Sequence, residues 1–186
     1  MKRAFDLFAG VILLSSLAII MLFIAIAIRR TSKGPALYWS DRIGKDYNIF
    51  KMPKFRSMLI DTPAIATHLL DNPDVYLSPI GGFLRSTSLD ELPQLFSVLR
   101  GDMSFVGPRP ALFNQEDLIA LRKEKGVDKL LPGITGWAQV NGRDELSIPD
   151  KVALDVEYLN RQSFWFDMKI LWMTFLKVIK RDGVSH

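Results

Sequence analysis

Residues 85–96 read RSTSLDELPQLF, with the adjacent carboxylates Asp90 and Glu91 just ahead of Pro93 and with Arg85 five residues before Asp90. Two readings are open. Acidic residues suit helix starts, because unpaired backbone N–H groups and the macrodipole favour negative charge there, and Asp90 as a plain N-cap needs nothing further. The same parts also make a phosphate and metal site. Helix N-termini and guanidinium groups bind phosphate oxygens, while carboxylates hold Mg2+. An ionised aspartate in that setting can attack phosphorus and form an acyl phosphate. A capping box from Ser88 to Glu91 is disfavoured, since it sets Pro93 at the fifth helical position, where its ring meets the Leu89 carbonyl. The helix is therefore expected to run from about Asp90 to Leu99, with Pro93 in its first turn and Gly101 as its stop.

The other candidates are dispersed. Lys54, Arg56, Arg109 and Arg143 are cations close to turn residues, and each taken singly reads as a solvated surface charge or as a phosphate ligand. Pro108 and Pro110 bracket Arg109 and hold one guanidinium on a stiff segment. Asp155, within VALDVEYL, is a helix-surface charge or a metal ligand. His68 and His186 are too isolated to build a histidine metal site or a Ser-His-Asp triad. The chain contains neither a Walker loop nor GxGxxG, so ATP and dinucleotide folds lack support. Its lack of cysteine excludes disulfides and thiolate chemistry. A net charge of +4 suits a surface that meets anionic lipid or phosphate, and equally a solvated basic surface. No basic run is interleaved with aromatics, so nucleic acid is not expected as a partner.

These residues need elements to bring them together. At 186 residues the chain has enough length for one domain with a real core and an appended segment. Two β-like runs, Ala36 to Arg42 and Tyr47 to Phe55, flank Gly44, Lys45 and Asp46 and predict a hairpin. Residues 61–82, rich in proline and ending in a glycine pair, read as a short helix between loops. GDMSFVGPRP is an irregular loop. Pro110 to Glu124 is expected to be helical, with acids early and bases late, and LPGITGWAQVNGRDEL is rich in turns. A helix follows from Ile148 to Asn160. The closing SFWFDMKILWMTFLKVIKR mixes aromatics with lysines, which fits a helix in a membrane interface or a core helix of a small domain.

From Ala4 to Ile28 the only charge is Asp6, within a run of Leu, Ile, Val, Phe and Ala. The run is too long for a cleaved signal peptide and is a membrane-segment candidate. Leu7 to Ile28 as a straight helix is about 33 Å, enough to cross a bilayer. Lys2 and Arg3 on one side, and Arg29, Arg30 and Lys33 on the other, both prefer the cytoplasm, which argues for a segment that enters and leaves one leaflet. Ser15-Ser16 is the candidate break, since serines bond back to preceding carbonyls and bend helices. From these residues alone, spanning and re-entrance both stay open.

Taken in order, the N-terminal apolar segment, KMPKFRSM, RSTSLDELPQLFSVLRGDMSFVGPRP, PGITGWAQVNGR and the closing aromatic-basic helix resemble the small monotopic phosphoglycosyl transferases, a family of bacterial sugar transferases. The resemblance covers almost the whole chain, and DELPQL followed by GDMSFVGPRP is its most specific part. It implies an α+β, mostly helical fold: a re-entrant membrane helix over residues 1–33, then a cytoplasmic and interfacial catalytic domain over 34–186 with a small β-hairpin and amphipathic interfacial helices. It implies transfer of a sugar 1-phosphate from a UDP-sugar to undecaprenyl phosphate with release of UMP, the first membrane step of glycoconjugate assembly. Asp90 is then the nucleophile, with Glu91 beside it for Mg2+ placement or proton handling. Arg85 and Arg109 clamp phosphate or nucleotide groups. Lys54, Arg143, Pro108 and Pro110 match family positions around the site, and Asp155 joins Asp90 and Glu91 in the implied Mg2+ set. The implied location is the bacterial inner membrane, on its cytoplasmic face. The implied partners are a UDP-sugar, undecaprenyl phosphate and membrane lipid, and a homodimer is compatible with the family. The chain departs from the family in having no proline between Gly10 and Pro35, so re-entrance rests on Ser15-Ser16, the basic flanks and the resemblance. Two rival readings remain: a metal-dependent membrane phosphohydrolase and a membrane-anchored binding protein without activity.

Overall fold

A computed structural model describes residues 1–63, 72–142 and 146–180. His68, Arg143 and His186, and residues 64–71 of the stretch expected to hold a short helix between loops, lie outside the described residues. The N-terminal apolar run is one unbroken helix, α1 (Lys2–Thr31). Ser15-Ser16 does not interrupt it; Ser16 Oγ instead donates to the Leu13 carbonyl at 3.0 Å, a bond compatible with continuous helix.

Both ends of α1 are fixed to the same body. At its start, Asp6, 2% exposed, accepts from Ser104 Oγ at 3.1 Å and from the Phe105 N–H at 3.2 Å. Thus the single charge in the apolar run is an internal polar tie, paired as a buried carboxylate must be. Lys2 Nζ meets Asp167 Oδ2 at 2.6 Å and the Val106 carbonyl at 2.9 Å. At the far end, Met21 and Ile28 pack with Phe55 and Leu84, and Arg56 donates to Ser32 Oγ and to the Lys33 carbonyl. Between these anchors one side of the helix stays exposed and apolar, including Phe8, Ile19, Leu22 and Phe23.

The expected hairpin is present as β1 (Leu37–Ile43) and β2 (Ile49–Phe55), antiparallel with Tyr38 opposite Lys54 and Arg42 opposite Phe50. A short helix α2 (Gly81–Ser86) leads into a 3-10 turn over Leu89–Glu91. The next helix, α3 (Gln94–Arg100), starts later than expected. Pro93 stands at its N-cap, and the two acids occupy the preceding 3-10 turn instead of the α-helix itself. Proline lacks the N–H that an interior position requires, so the chain breaks into two short elements there. Gly101 ends α3 at φ +96°. Arg3 caps the same end, its Nη1 and Nη2 donating to the Val98 and Leu99 carbonyls at 2.6 and 2.8 Å. This is a cation on the negative pole of a helix. Lys2 and Arg3 therefore have protein partners, which weakens their use as a topological signal.

A small parallel pair, β3 (Ser104–Val106) and β4 (Gly133–Thr135), lies where irregular and turn-rich chain was expected. The helix expected from Pro110 is shorter, α4 (Glu116–Glu124). Residues 110–112 are drawn instead against the edge of β1, where Ile43 N–H donates to the Ala111 carbonyl at 3.0 Å and Arg42 bridges Leu112. A single turn α5 (Trp137–Val140) follows β4. The last two helices are α6 (Ile148–Arg161) and α7 (Phe164–Lys180). Ser147 caps α6 by accepting from the Asp150 N–H, and its inner face buries Val152, Asp155 and Tyr158 at helical spacing. In α7, Phe166, Asp167 and Ile170 are buried, as a core helix requires, while Trp165, Trp172, Phe175, Val178 and Ile179 are exposed on the other side. The main core gathers Met52, Leu95, Val98, Met103, Val106, Tyr158 and Ile170 beneath the hairpin, with Phe5 and Ala9 of α1 against it.

Candidate active site

The strand β2 delivers a lysine and the 3-10 turn delivers two carboxylates to the same spot. Lys54 Nζ donates to Glu91 Oε1 at 2.8 Å and stands 4.0 Å from Asp90 Oδ2. The turn is opened by Ser88 at φ +55°, a left-handed conformation uncommon for a non-glycine residue. Asp90 is 9% exposed, and among the described residues none donates a hydrogen bond to its carboxylate. Arg109 Nη2 adds a second bond to Glu91 Oε1 at 3.2 Å. Glu91 is thus the hub that ties the hairpin, the acidic turn and the Pro108-Arg109-Pro110 segment together.

That segment is held by packing that leaves no room for side chains. A Cβ on Gly107 would overlap the Leu131 carbonyl, and one on Gly136 would overlap the carbonyl of Gly107. Only glycine allows the two backbones to approach so closely. Pro108 accepts from the Gly133 N–H at 2.9 Å and Gly107 N–H donates to the Thr135 carbonyl at 2.9 Å, extending the β3–β4 ladder up to Arg109. Pro110 offers its carbonyl to Arg42 Nη1 at 3.2 Å. From the other side, buried Arg122 donates through Nη1 to the Arg109 carbonyl at 2.8 Å. Its Nε and Nη2 both bind Asp155 Oδ2, at 2.9 and 2.7 Å. Asp155 therefore reaches the acidic pair through Arg122 and the Arg109 loop. Burial raises its pKa, and Arg122 works against that rise.

Charge is arranged around Asp90 in a definite order. Burial pushes its pKa up from the ordinary carboxylate value, Lys54 is the strongest opposing influence, Glu91 adds to the rise, and Arg85 and Arg109 oppose it. Arg85 is half-buried, with Nη1 at 3.6 Å from Met58 Sδ. Hence Lys54, Arg85, Asp90, Glu91, Pro108, Arg109 and Pro110 are gathered around one place, with Asp155 behind the Arg109 loop. Two neighbouring carboxylates, one of them buried with no hydrogen-bond donor among the described residues, suit a divalent cation that keeps waters and phosphate oxygens as its other ligands. The arrangement can bind a phosphate ester, neutralise it with cations and present a carboxylate to phosphorus.

Two participants were missed in the sequence. Arg42 lies on the face of the hairpin that carries Lys54, and its pKa falls to about 10, first through burial and then through Arg109. In the sequence Arg122 is one of the late bases of the helix expected over Pro110 to Glu124, with nothing local to mark it further. Strand alternation carried a signal for Arg42, since residues 38, 40, 42 and the partner of 38 share one face.

A family model described as bacterial sugar transferase matches residues 1–181. The chain is 43% identical to an undecaprenyl-phosphate glucose phosphotransferase of Komagataeibacter xylinus, over 100% of this chain and 36% of that protein. It is 40% identical to the uncharacterized sugar transferase EpsL of Bacillus subtilis, over 100% of this chain and 91% of that protein. A UDP-glucose:undecaprenyl-phosphate glucose-1-phosphate transferase of Escherichia coli is 40% identical over 95% of this chain and 40% of its own length. The chain thus spans well under half of two of these relatives and nearly all of the third.

Proposed function

Since this chain belongs to the bacterial sugar transferase family, we propose that it moves a sugar 1-phosphate from a UDP-sugar to undecaprenyl phosphate, releasing UMP. The observation that carries this reading is the Asp90 carboxylate, nearly buried and 4.0 Å from the Lys54 ammonium, while Glu91 takes the direct bonds of Lys54 and Arg109. A carboxylate so kept has its lone pairs free for attack and its charge offset without a hydrogen bond that would blunt it.

In the first step an Asp90 oxygen attacks the sugar-bearing phosphorus, the phosphoanhydride bond breaks and UMP leaves with its bonding pair. In the second, an oxygen of undecaprenyl phosphate attacks the same phosphorus and Asp90 is regenerated. Lys54, Arg85 and Arg109 offset the charge of two anionic substrates brought to a carboxylate, without which repulsion would keep them apart. Glu91 orients Lys54 and Arg109. Mg2+, when bound by Asp90 and Glu91, supplies charge neutralisation for the diphosphate.

Membrane attachment is part of the proposal, because the acceptor is a lipid. The exposed apolar side of α1 and the exposed aromatics of α7 form surface that water does not tolerate in a monomer and that a lipid leaflet covers. That both ends of α1 are tied to one body supports a monotopic arrangement, which we propose lies on the cytoplasmic face of the bacterial inner membrane.

The test is a UMP-release screen against a panel of UDP-sugars with undecaprenyl phosphate and Mg2+, joined to intact-mass analysis before acceptor is added. A phosphosugar adduct on the wild type, absent from Asp90→Asn, is expected. Free sugar phosphate without an adduct identifies a hydrolase, and transfer at the normal rate by Asp90→Asn eliminates the aspartyl mechanism.

A further inference from the structure

We propose that Arg42 is a further anion-binding residue of this site, gripping the diphosphate of the sugar nucleotide together with Arg109. The inference rests on the sugar-nucleotide reading above and adds a residue that neither the motifs nor the family position singled out.

Its placement follows from the hairpin. Along β1 the residues Tyr38, Ser40 and Arg42 point to one face, and Tyr38 sits directly opposite Lys54, so this face meets the acidic turn. The guanidinium is aimed by two bonds, Nε to Ser40 Oγ at 3.0 Å and Nη1 to the Pro110 carbonyl at 3.2 Å. The second bond joins it to the segment that carries Arg109. Its Nη2 has no acceptor among the described residues, and no carboxylate among them lies within ion-pair distance of it.

Arg122, more deeply buried than Arg42, has a carboxylate of its own and spends two N–H groups on Asp155. Arg42 is half-buried beside another guanidinium, and among the described residues Glu91, already engaged by Lys54 and Arg109, is the carboxylate that offsets its charge. Enclosing a guanidinium that lacks an ion pair of its own beside a second one is unfavourable in the free protein, and the repulsion falls when an anion enters between them. Two guanidinium forks match the paired oxygens of a diphosphate better than a single monoanion.

The experiment uses the full chain in lipid nanodiscs and compares Arg42→Gln and Arg42→Lys with wild type. Glutamine keeps a donor for Ser40 and the Pro110 carbonyl while removing the charge. We expect Arg42→Gln to raise KM for the UDP-sugar by about 10- to 100-fold, the weight of one or two charge-assisted hydrogen bonds. Inhibition by UDP should weaken by a similar factor and inhibition by uridine should not, while KM for undecaprenyl phosphate and the melting temperature stay near wild type. Arg42→Lys should recover part of the loss. An unchanged UDP-sugar KM in Arg42→Gln overturns the proposal, as does equal weakening toward UDP and uridine with a fall in melting temperature, which marks a structural role. In both cases wild type still turns over. A wild type that releases UMP from no UDP-sugar overturns the functional reading itself and this assignment with it.

Discussion

Lys54 Nζ bonds Glu91 Oε1 at 2.8 Å, and this one contact decides how the neighbouring Asp90 is neutralised. The ammonium spends its direct bond on Glu91 and remains 4.0 Å from Asp90, close enough to favour the ionised form and too far to occupy its lone pairs. Replacing Glu91 by alanine frees the ammonium to close on Asp90 and pair it. We expect Glu91→Ala and Lys54→Met each to lower kcat/KM for UMP release by roughly 10²-fold. Because both remove one shared arrangement, the double variant should lose less than the sum. A coupling of about 0.5–3 kcal/mol is expected for residues in contact. Penalties that simply add, measured over the four proteins of the cycle, would refute the shared role.

Asp90 is held at a cost to stability. Its folded pKa is raised by burial above the ordinary value of 3.8, so the folded state binds its proton more tightly than the unfolded chain does. The associated stability is complete below about pH 3.8 and is lost as pH rises through the raised folded value. Asp90→Asn should therefore melt higher than wild type at pH 7 in EDTA, and the gain should vanish below pH 3.8. About 1 kcal/mol moves the melting temperature of a chain this size by roughly 2–4 °C. A variant that melts lower than wild type at pH 7 shows instead that Lys54 and the arginines overcompensate burial.

What the sequence revealed and what it hid divide along the range of the forces involved. Pro93 acts within a few residues, so a helix boundary near Asp90, and the placing of two carboxylates at it, were legible. So were the hairpin around Gly44 and the rigid mounting of Arg109 between two prolines. The β3–β4 pair was not, because its strands are three residues each and their pairing depends on Gly107 meeting chain some twenty-five positions away. The expected helix from Pro110 failed for the same reason: pairing of residues 110–112 with β1 overrode a local charge pattern that favoured helix. Arg42 and Arg122 are defined by partners remote in sequence, and only the folded chain brings those partners near.

Asp155 has its own decisive test. Its Oδ2 holds Arg122 by two bonds, and Arg122 in turn holds the Arg109 carbonyl. Asp155→Ala leaves a buried guanidinium without a counter-charge, a change that costs about 3–5 kcal/mol. Asp155→Asn should cost less, since an amide oxygen still accepts from Arg122. If the pair acts by seating the Arg109 loop, Asp155→Asn raises KM for the UDP-sugar and lowers the melting temperature while the Mg2+ concentration for half-maximal activity stays fixed. A shift of that Mg2+ midpoint would assign Asp155 to the metal.

The unbroken α1 sets the last prediction, on topology. At 1.5 Å per residue its 30 residues extend about 45 Å, more than a hydrocarbon core. A helix of that length can cross, yet Lys2 and Asp6 are bound to Asp167 and Ser104 while Ile28 packs on Phe55 and Leu84 and Ser32 binds Arg56. Crossing would tear one of these anchors from the body, and the buried Asp6 would lose both donors to its carboxylate and face lipid. The chain has no cysteine, so single cysteines at the exposed positions Ala4, Lys33 and Ser163 report without background. With a membrane-impermeant maleimide, all three should label in inverted inner-membrane vesicles and none in intact spheroplasts. Labelling of Ala4 from the periplasm, with Lys33 and Ser163 protected there, would establish a crossing and end the monotopic reading.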